Sequence, residues 1–349
     1  VILIFERRNL MNRRTLVTVL TLSLMLMLGS ATVAAAKMPA GAPTTTLLVT
    51  GLDELQGSAV GPGAALFVTA PLTGSIWRVD PKTGAVTLFA SGLPARFPGL
   101  DFIGSGVVDL AFIGGTAYAL VTGVAPDLFG HDIVGIYRVD GPDSFTIVAD
   151  IGAWSIGHPP ATDFFVPTGF QYAIEPYRGG FLVTDGHHNR VLRVTLDGEI
   201  TQVIAFDDIV PTGLAVRGNT IYMGEAGPIP HLPETSKVMS FTLKSPTATQ
   251  VASGAGLSNS GLLVDVEFGS GNTLYALLQG FWNGPFEGAP AQPNTGALVR
   301  VNPDGTFTNL VDGLNQPTSV EIIKNTAYIV TLTGEVWKIE NISPPPYGD

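Results

Sequence analysis

The amino-acid sequence predicts an all-β protein, a six-bladed β-propeller in which an N-terminal strand closes the last blade. The chain of 349 residues is 45% hydrophobic and 13% charged, and it holds 42 glycines and 26 prolines, which suits a turn-rich β protein with a sizeable core. Short β-branched and aromatic segments recur along it in a fixed order. A segment with the pattern that ends a repeat also stands once before the first repeat.

Two kinds of segment define the repeat, and each occurs six times between Gly, Pro, Asn or Asp residues. The first kind covers 65–70, 117–122, 180–185, 220–225, 273–278 and 327–332. The second kind covers 75–80, 135–140, 190–195, 237–242, 297–302 and 335–340. Another strand precedes each first segment and a further one follows most second segments. Each repeat therefore predicts four strands, which we name A to D in chain order.

The octet "TTLLVTGL" at 45–52 supplies the strand that the repeats lack. Only five D strands follow their C strands in order, and the sixth repeat ends at "EVWKIENI" without one. The octet has the D-strand pattern but no A to C strands before it, so we expect residues 45–51 to complete the sixth blade and close the ring. The predicted propeller covers 45–342, between a linker at 37–44 and a tail at 343–349.

The first 36 residues are predicted to be a secretory signal peptide. A basic segment at Arg13 and Arg14 precedes an apolar run, Leu16 to Leu28, which is too short to span a bilayer comfortably. Small residues at 34–36 then offer a cleavage site, and Met11 offers an alternative start. We therefore expect a secreted or periplasmic protein without a stable membrane anchor.

Charge and cysteine content exclude several classes of function. The chain has no cysteine, which excludes disulfides, thiolate metal sites and a cysteine nucleophile. Removal of residues 1–36 leaves 14 basic and 28 acidic residues, a net charge of −14. Such a surface repels nucleic acid and anionic lipid, so we expect neither as a partner.

The predicted loops place the candidate ligand-binding residues on one face. In a blade the A–B and C–D turns lie on one face, and the B–C and D–A loops lie on the other. The long loops, 123–134, 152–166, 225–236 and 279–296, all belong to the second face. Long loops are usually functional, although His and Trp also occur at loop edges without any role. The candidate ligand-binding residues there are Trp154, His158, His187, Glu225, His231, Phe281 and Trp282.

Two carboxylates are candidate metal ligands. Asp109 and Asp265 fall at equivalent positions of the A strands of blades 2 and 5, which are opposite each other in a six-fold ring. Hard oxygens at a channel mouth suit Ca²⁺ or another divalent ion. The alternative is that each carboxylate accepts hydrogen bonds from backbone N–H groups. The other equivalent positions are assigned to Ser58, Gly169, Gly213 and Ser319.

The segment "VTDGHHNRVLRVTLDG" at 183–198 is the clearest short motif. Its Asp185, His188, Asn189 and Arg190 could form a metal cluster, but they also resemble the B–C hairpin of NHL-type propellers, in which Asp and Asn order the turn. The structural interpretation is favoured, because Asx side chains close turns through hydrogen bonds to the backbone.

The chain resembles the ScyD/ScyE family over essentially all of 45–342. The segments that carry this resemblance are "VPTGLAV…IYMGEA" at 210–226, "LVTGL" at 48–52 and "NPDGTFTNLVDGLNQPTSV" at 302–320. The resemblance implies a secreted bacterial propeller connected with the biosynthesis of scytonemin, an indole–phenol pigment. It supplies no established catalytic residues.

Two functional hypotheses remain open. In the first, which is favoured and is not enzymatic, the protein is a binding or assembly module for a small apolar or aromatic molecule or for a secreted protein. Trp154, Phe281, Trp282 and the histidines would carry the binding. In the second, the protein resembles the SMP-30 group of divalent-metal-dependent hydrolases or lactonases. Asp109 and Asp265 would then hold the ion, with Glu225 or His187 as helpers.

Overall fold

The described part of the chain forms six four-stranded antiparallel sheets arranged as a propeller. The computed structural model describes residues 41–99, 104–257, 261–284, 286 and 288–343. The predicted signal peptide and most of the predicted tail lie outside these residues. The six-bladed, all-β fold that the sequence predicts is confirmed.

The strands of each blade follow one another from the channel outwards. Blade 1 contains β2 (Ser58–Val60), β3 (Leu66–Ala70), β4 (Ser75–Val79) and β5 (Val86–Ser91), and blade 2 contains β6 (Gly106–Ile113), β7 (Thr116–Thr122), β8 (Gly135–Gly141) and β9 (Ser144–Asp150). Blade 3 contains β10 (Gln171–Tyr177), β11 (Gly180–Asp185), β12 (Arg190–Thr195) and β13 (Ile200–Ala205), and blade 4 contains β14 (Pro211–Arg217), β15 (Thr220–Glu225), β16 (Lys237–Thr242) and β17 (Ser245–Ser253). Blade 5 contains β18 (Gly261–Phe268), β19 (Leu274–Gly280), β20 (Gly296–Val301) and β21 (Phe307–Leu314), and blade 6 contains β22 (Pro317–Ile323), β23 (Thr326–Thr331), β24 (Val336–Glu340) and β1 (Thr44–Val49).

Strand β1 closes the ring as the sequence predicts. It pairs antiparallel with β24, with Thr44 opposite Glu340, Leu47 opposite Trp337 and Val49 opposite Val336. The strand begins one residue before the predicted propeller boundary, so Thr44 of the predicted linker is already paired. This pairing gives blade 6 its fourth strand from the opposite end of the chain, which removes an open edge between the last and first blades.

The core lies between neighbouring blades. The B strands β3, β11 and β19 are buried at every residue, whereas the D strands β5 and β13 are mostly solvent-accessible. One interface packs Tyr118 and Leu120 of blade 2 against Phe181 and Leu192 of blade 3. The Tyr118 and Phe181 rings lie 4.9 Å apart in a tilted arrangement, which is a favourable geometry for two aromatic side chains.

The long loops carry the helical turns of the B–C and D–A face. The helix α1 (Ile151–Gly157) follows β9, and Asp150 caps it by accepting a hydrogen bond from the Ala153 N–H at 2.8 Å. Short 3₁₀ turns lie at 126–128 and 233–235 on the same face. Within the residues described, no helix has the length and apolar character needed to cross a membrane.

Candidate functional site

A cavity of about 700 Å³ opens on the B–C and D–A face, above the central channel. Its walls come chiefly from the loops and A strands of blades 3, 4 and 5, and they are mainly apolar. Phe164, Phe165 and Val166 form the wall from blade 3, while Ile229 comes from blade 4 and Leu262 from blade 5. The volume is in the range that suits a drug-sized molecule.

Tyr172 closes the channel beneath this cavity. Tyr172 lies in strand β10 of blade 3. Its hydroxyl donates a hydrogen bond to the Thr318 carbonyl of blade 6, the opposite blade, at 3.2 Å. Burial raises the pKa of Tyr172 well above its usual value, and the nearby Asp265 and Asp109 carboxylates raise it further. The phenol therefore remains a protonated donor and holds its ring across the channel.

Two buried polar atoms at the cavity lack a hydrogen-bond partner among the described residues. Gln56, which is 4% exposed, lines the cavity, and its Oε1 is one of them. The hydroxyl of Thr162, which also lines the cavity, is the other. A buried polar atom without a partner costs about 1–3 kcal/mol, so a bound molecule that supplies a partner gains from both positions.

His187 and His231, two of the predicted ligand-binding residues, line the cavity and hold its loops. The Nε2 of His187 accepts hydrogen bonds from the backbone N–H groups of Phe165 and Val166, at 2.9 and 3.1 Å. The His231 ring bonds through Nδ1 to the Gly227 carbonyl at 2.6 Å. Each imidazole therefore fixes a loop segment next to the cavity as well as contributing to the wall.

Trp282, Phe281 and Glu225 lie near the cavity but do not line it. Trp282 is 7% exposed, donates through Nε1 to the Ala289 carbonyl at 2.8 Å and packs edge-on against His231, so it forms the core of its own loop. Phe281 is exposed. Glu225 is buried at the end of β15, next to Ala226 of the cavity wall, and burial raises its pKa to about 7 while Lys237 opposes this shift.

Trp154 and His158 are placed away from the cavity, at helix α1. Their rings stack with centroids 4.2 Å apart, and the guanidinium of Arg190 lies 4.9 Å from the Trp154 ring. His158 also bonds through Nδ1 to the Trp154 carbonyl. The Trp154 ring therefore covers the buried Arg190, and the backbone carbonyl of His158 accepts a hydrogen bond from it. The sequence did not predict α1, which is the element that moves them away from the mouth of the channel.

The blade 3 motif forms a buried hydrogen-bond network, as the structural interpretation predicts. Asp185 accepts from the Phe170 N–H at 2.9 Å and lies 3.3 Å from Arg190 Nε. The Nε2 of His188 lies 3.0 Å from the Val166 carbonyl and therefore donates to it, while its Nδ1 lies 2.8 Å from the Arg190 guanidinium and 3.2 Å from the Asp185 carboxylate. These side chains are committed to one another and to the backbone.

Asp109 and Asp265 join neighbouring A strands. Asp109 accepts from its neighbour Leu110 and from the Ile174 N–H of the next blade, at 2.9 and 2.8 Å. Asp265 accepts in the same way from Val266 and from Val320 of the next blade, both at 2.8 Å. The two carboxylates therefore make equivalent bonds three blades apart, as the backbone-bonding alternative predicts. Burial raises the pKa of both, that of Asp265 to about 7.

This comparison corrects one equivalence drawn from the sequence. Since the N–H groups of Ile174 and Val320 donate equivalent bonds to Asp109 and Asp265, the residue of blade 3 that corresponds to Ser319 is Ala173, not Gly169. Gly169 lies before β10 with φ +73 and packs against Asp185. The error arises because "PTG" occurs both at 167–169 and at 211–213, but the first copy lies four residues too early: β10 begins only at Gln171, whereas β14 begins at Pro211.

The side chains around Asp109 and Asp265 do not form a suitable set of ligands for a divalent ion. Their oxygens already accept backbone N–H groups, and the described residues contain no group of three His, Cys, Asp or Glu side chains that could hold an ion together. Glu175, Glu267 and Glu321 line the same channel cavity, but among the described residues no three carboxylates come together closely enough to supply the oxygen ligands that Ca²⁺ needs. We therefore derive no chemical step through a metal.

Solved structures resemble this chain in fold over most of its length. A gluconolactonase from Xanthomonas campestris matches 85% of this chain and 89% of its own, with a TM-score of 0.58 and 12% identity. Virginiamycin B lyase from Staphylococcus aureus matches 85% of this chain and 98% of its own, with a TM-score of 0.52 and 14% identity. An oxidoreductase (glucose dehydrogenase) from Thermus thermophilus matches 85% of this chain and 99% of its own, with a TM-score of 0.57 and 16% identity. No protein-family model matches the chain, and no curated protein matches it in sequence. At these identities the likeness shows the fold, and it agrees with the six-bladed propeller described above.

Proposed function

We propose that this protein is a binding module that holds a small, mainly apolar molecule in the cavity of about 700 Å³. The observation that carries the proposal is the composition of the cavity wall. Aromatic and aliphatic side chains surround a buried amide oxygen, Gln56 Oε1, that has no partner among the described residues. An enclosed apolar wall with a few fixed polar atoms is the usual form of a small-molecule site.

The cavity is held open by interactions that do not depend on a ligand. Tyr172 closes its floor through the bond to Thr318. His187 fixes the segment that carries Phe165 and Val166, through two bonds to their backbone N–H groups. A preformed site avoids much of the cost of ordering loops when the ligand binds, which favours affinity.

The proposal also covers the cellular location of the protein and the class of its ligand, both of which the sequence indicates. The resemblance to the ScyD/ScyE family and the predicted signal peptide support a secreted or periplasmic protein. An aromatic-lined cavity is compatible with an aromatic metabolite of the scytonemin kind as the ligand. The ligand could also be presented by a secreted protein partner, which the exposed Phe129 and Phe281 on the same face would suit.

One observation supports a second candidate function, hydrolysis of a lactone or ester. Glu225 adjoins the cavity wall at Ala226, and its pKa of about 7 is suited to general acid–base chemistry near neutral pH. The fold is also that of a gluconolactonase. Because Glu225 does not itself line the cavity, this candidate requires its carboxyl to act on a bound lactone through a water molecule. It predicts turnover of simple lactones that Glu225→Gln abolishes, measured by proton release.

We expect the neutral fluorescent probe N-phenyl-1-naphthylamine to bind saturably, and Phe165→Ala to weaken its binding by about tenfold through loss of an aromatic wall. Phe165 is 59% exposed, so its removal should not damage the core. Phe129→Ala is the matched control, because Phe129 is 68% exposed on the same face but does not line the cavity. Fluorescence titration measures both variants. Equal loss in the two variants, or no saturable binding by the unaltered protein, would contradict the proposal.

A further inference from the structure

We infer that the ligand of this cavity is a cationic amphiphile, an aromatic or apolar molecule that carries a protonated amine. This inference rests on the proposed function and specifies its ligand class. The rim of the cavity holds three exposed carboxylates, Asp163, Asp207 and Asp208. Among the described residues, the wall contains no Lys or Arg to balance them.

The polar atoms inside the cavity point to the same ligand chemistry. Gln56 Oε1 is an acceptor that is buried and lacks a partner within the described chain, so only a group that donates a hydrogen bond can satisfy it. Thr162 offers a hydroxyl that can accept as well. The lone pair of His187 Nε2 is already occupied by two backbone N–H groups, so this atom adds no acceptor for a ligand. A ligand with N–H groups matches this set, whereas an anion or a pure acceptor leaves Gln56 unsatisfied.

The aromatic part of the wall also favours a cation. Phe164 and Phe165 line the cavity, as does Asp163, which precedes them in the chain. Aromatic faces attract ammonium and related cations, and this attraction grows when the cation is partly removed from water. The rim carboxylates and the rings therefore act in the same direction. The net charge of the whole chain, −11, adds a long-range attraction for cations.

Three probes of similar size separate the contributions of charge and apolar contact. They are 9-aminoacridine, which is cationic and carries an amine, N-phenyl-1-naphthylamine, which is neutral, and 1-anilinonaphthalene-8-sulfonate, which is anionic. We expect the cation to bind about tenfold more tightly than the neutral probe, because each exposed carboxylate contributes a few-fold, and the anion to bind least. High salt should reduce these differences, since the rim is exposed to solvent and its charges are screened.

A triple variant, Asp163→Asn with Asp207→Asn and Asp208→Asn, assigns the effect to the rim. It should remove the preference for 9-aminoacridine and leave the affinity for the neutral probe unchanged. The control variant, Asp140→Asn with Asp197→Asn and Asp304→Asn, changes the net charge equally on C–D turns of the opposite face. We expect it to leave the preference intact. At Gln56, Gln56→Glu should strengthen binding of the cation, and Gln56→Leu should weaken it.

The outcomes distinguish this inference from the proposed function. If no probe binds saturably, the proposed function fails and the inference fails with it. If the neutral probe binds, is weakened by Phe165→Ala and yet matches 9-aminoacridine in affinity, the binding module stands and the inference is overturned. An equal effect of the rim variant and the control variant overturns it as well, because the preference would then reflect net charge and not the cavity.

Discussion

Asp185→Ala is expected to lower the free energy of unfolding by about 3–5 kcal/mol, because it leaves a buried guanidinium without its counter-charge. Arg190 is 1% exposed and Asp185 is fully buried, with Arg190 Nε 3.3 Å from the carboxylate. Burial alone would raise the pKa of Asp185, but His188 and Arg190 hold it below its usual value, so the group is charged. The other hydrogen-bond partners of Arg190, the His158 carbonyl, the Ser155 hydroxyl and the His188 ring, carry no negative charge. They cannot replace the lost charge.

The exposed ion pair of Arg138 and Asp140 supplies the control. Its atoms are closer, at 2.6 Å, but both side chains are largely in solvent. Surface pairs of this kind contribute little, so Asp140→Ala should unfold at nearly the same denaturant concentration as the unaltered protein. Asp185→Asn should lie between the two, since it keeps an acceptor for the Phe170 N–H but removes the charge. Chemical denaturation measures all three. The explanation is wrong if Asp185→Ala loses no more stability than Asp140→Ala.

The same network ties stability to the cavity. Asn189 accepts from the N–H groups of Ile209 and Val210, both at 2.9 Å, and Val210 is part of the cavity wall. His188 holds the carbonyl of Val166, another residue of the cavity wall. The hairpin of blade 3 therefore positions two segments of the cavity wall. This explains why a motif that suggested metal ligands is better understood as the support of the cavity.

The sequence predicted the fold well because propeller blades are built from local, repeated patterns. Each B strand is an apolar segment bounded by turn residues, and the N-terminal octet could be assigned to blade 6 because its pattern matched only D strands. The start of the A strand in blade 3 was not predictable, since "PTG" begins strand β14 at 211–213 but precedes strand β10 at 167–169. That is why Gly169 was taken for Ala173.

The sequence predicted the site only in part. The B–C and D–A loops do form the face that carries the cavity, and His187 and His231 do line it. Gln56 gave no signal, because a glutamine before a strand is ordinary and its importance comes from the groups that the closed ring places around it. Trp154 was predicted to contact a ligand, whereas the helix α1 turns it onto Arg190. Three-dimensional packing determines each of these outcomes.

A second large effect is expected on the opposite face, where the protein should become less stable as the pH rises. Five carboxyl groups line a cavity of about 230 Å³ around the channel there: Asp109, Glu175, Asp265, Glu267 and Glu321. Burial is the largest cause of the raised pKa in each of the five groups. The pKa is raised to about 7 for Asp265 and to about 8 for Glu267. Mutual repulsion adds to the shift in Asp109, Glu175, Glu267 and Glu321.

The direction of this pH dependence follows from the difference in proton binding between the folded protein and the unfolded chain. Because the folded-state pKa values are raised, the folded protein holds protons that the unfolded chain releases above about pH 4. The free energy of unfolding therefore falls as the pH rises through the folded-state values and levels off above them. Since the cavity admits water, we expect a total loss on the order of a few kcal/mol between about pH 5 and pH 9.

Glu267→Gln combined with Glu321→Gln tests this origin. The double variant removes two negative charges from the cluster, so its melting temperature at alkaline pH should exceed that of the unaltered protein, and its pH dependence should be shallower. Glu199→Gln, at an exposed turn outside the cluster, should leave the pH dependence unchanged. Thermal melts across the pH range measure all three proteins. A melting temperature that stays constant or increases with pH in the unaltered protein would show that these carboxyl groups titrate as they do in water, and that the channel below Tyr172 is fully solvated.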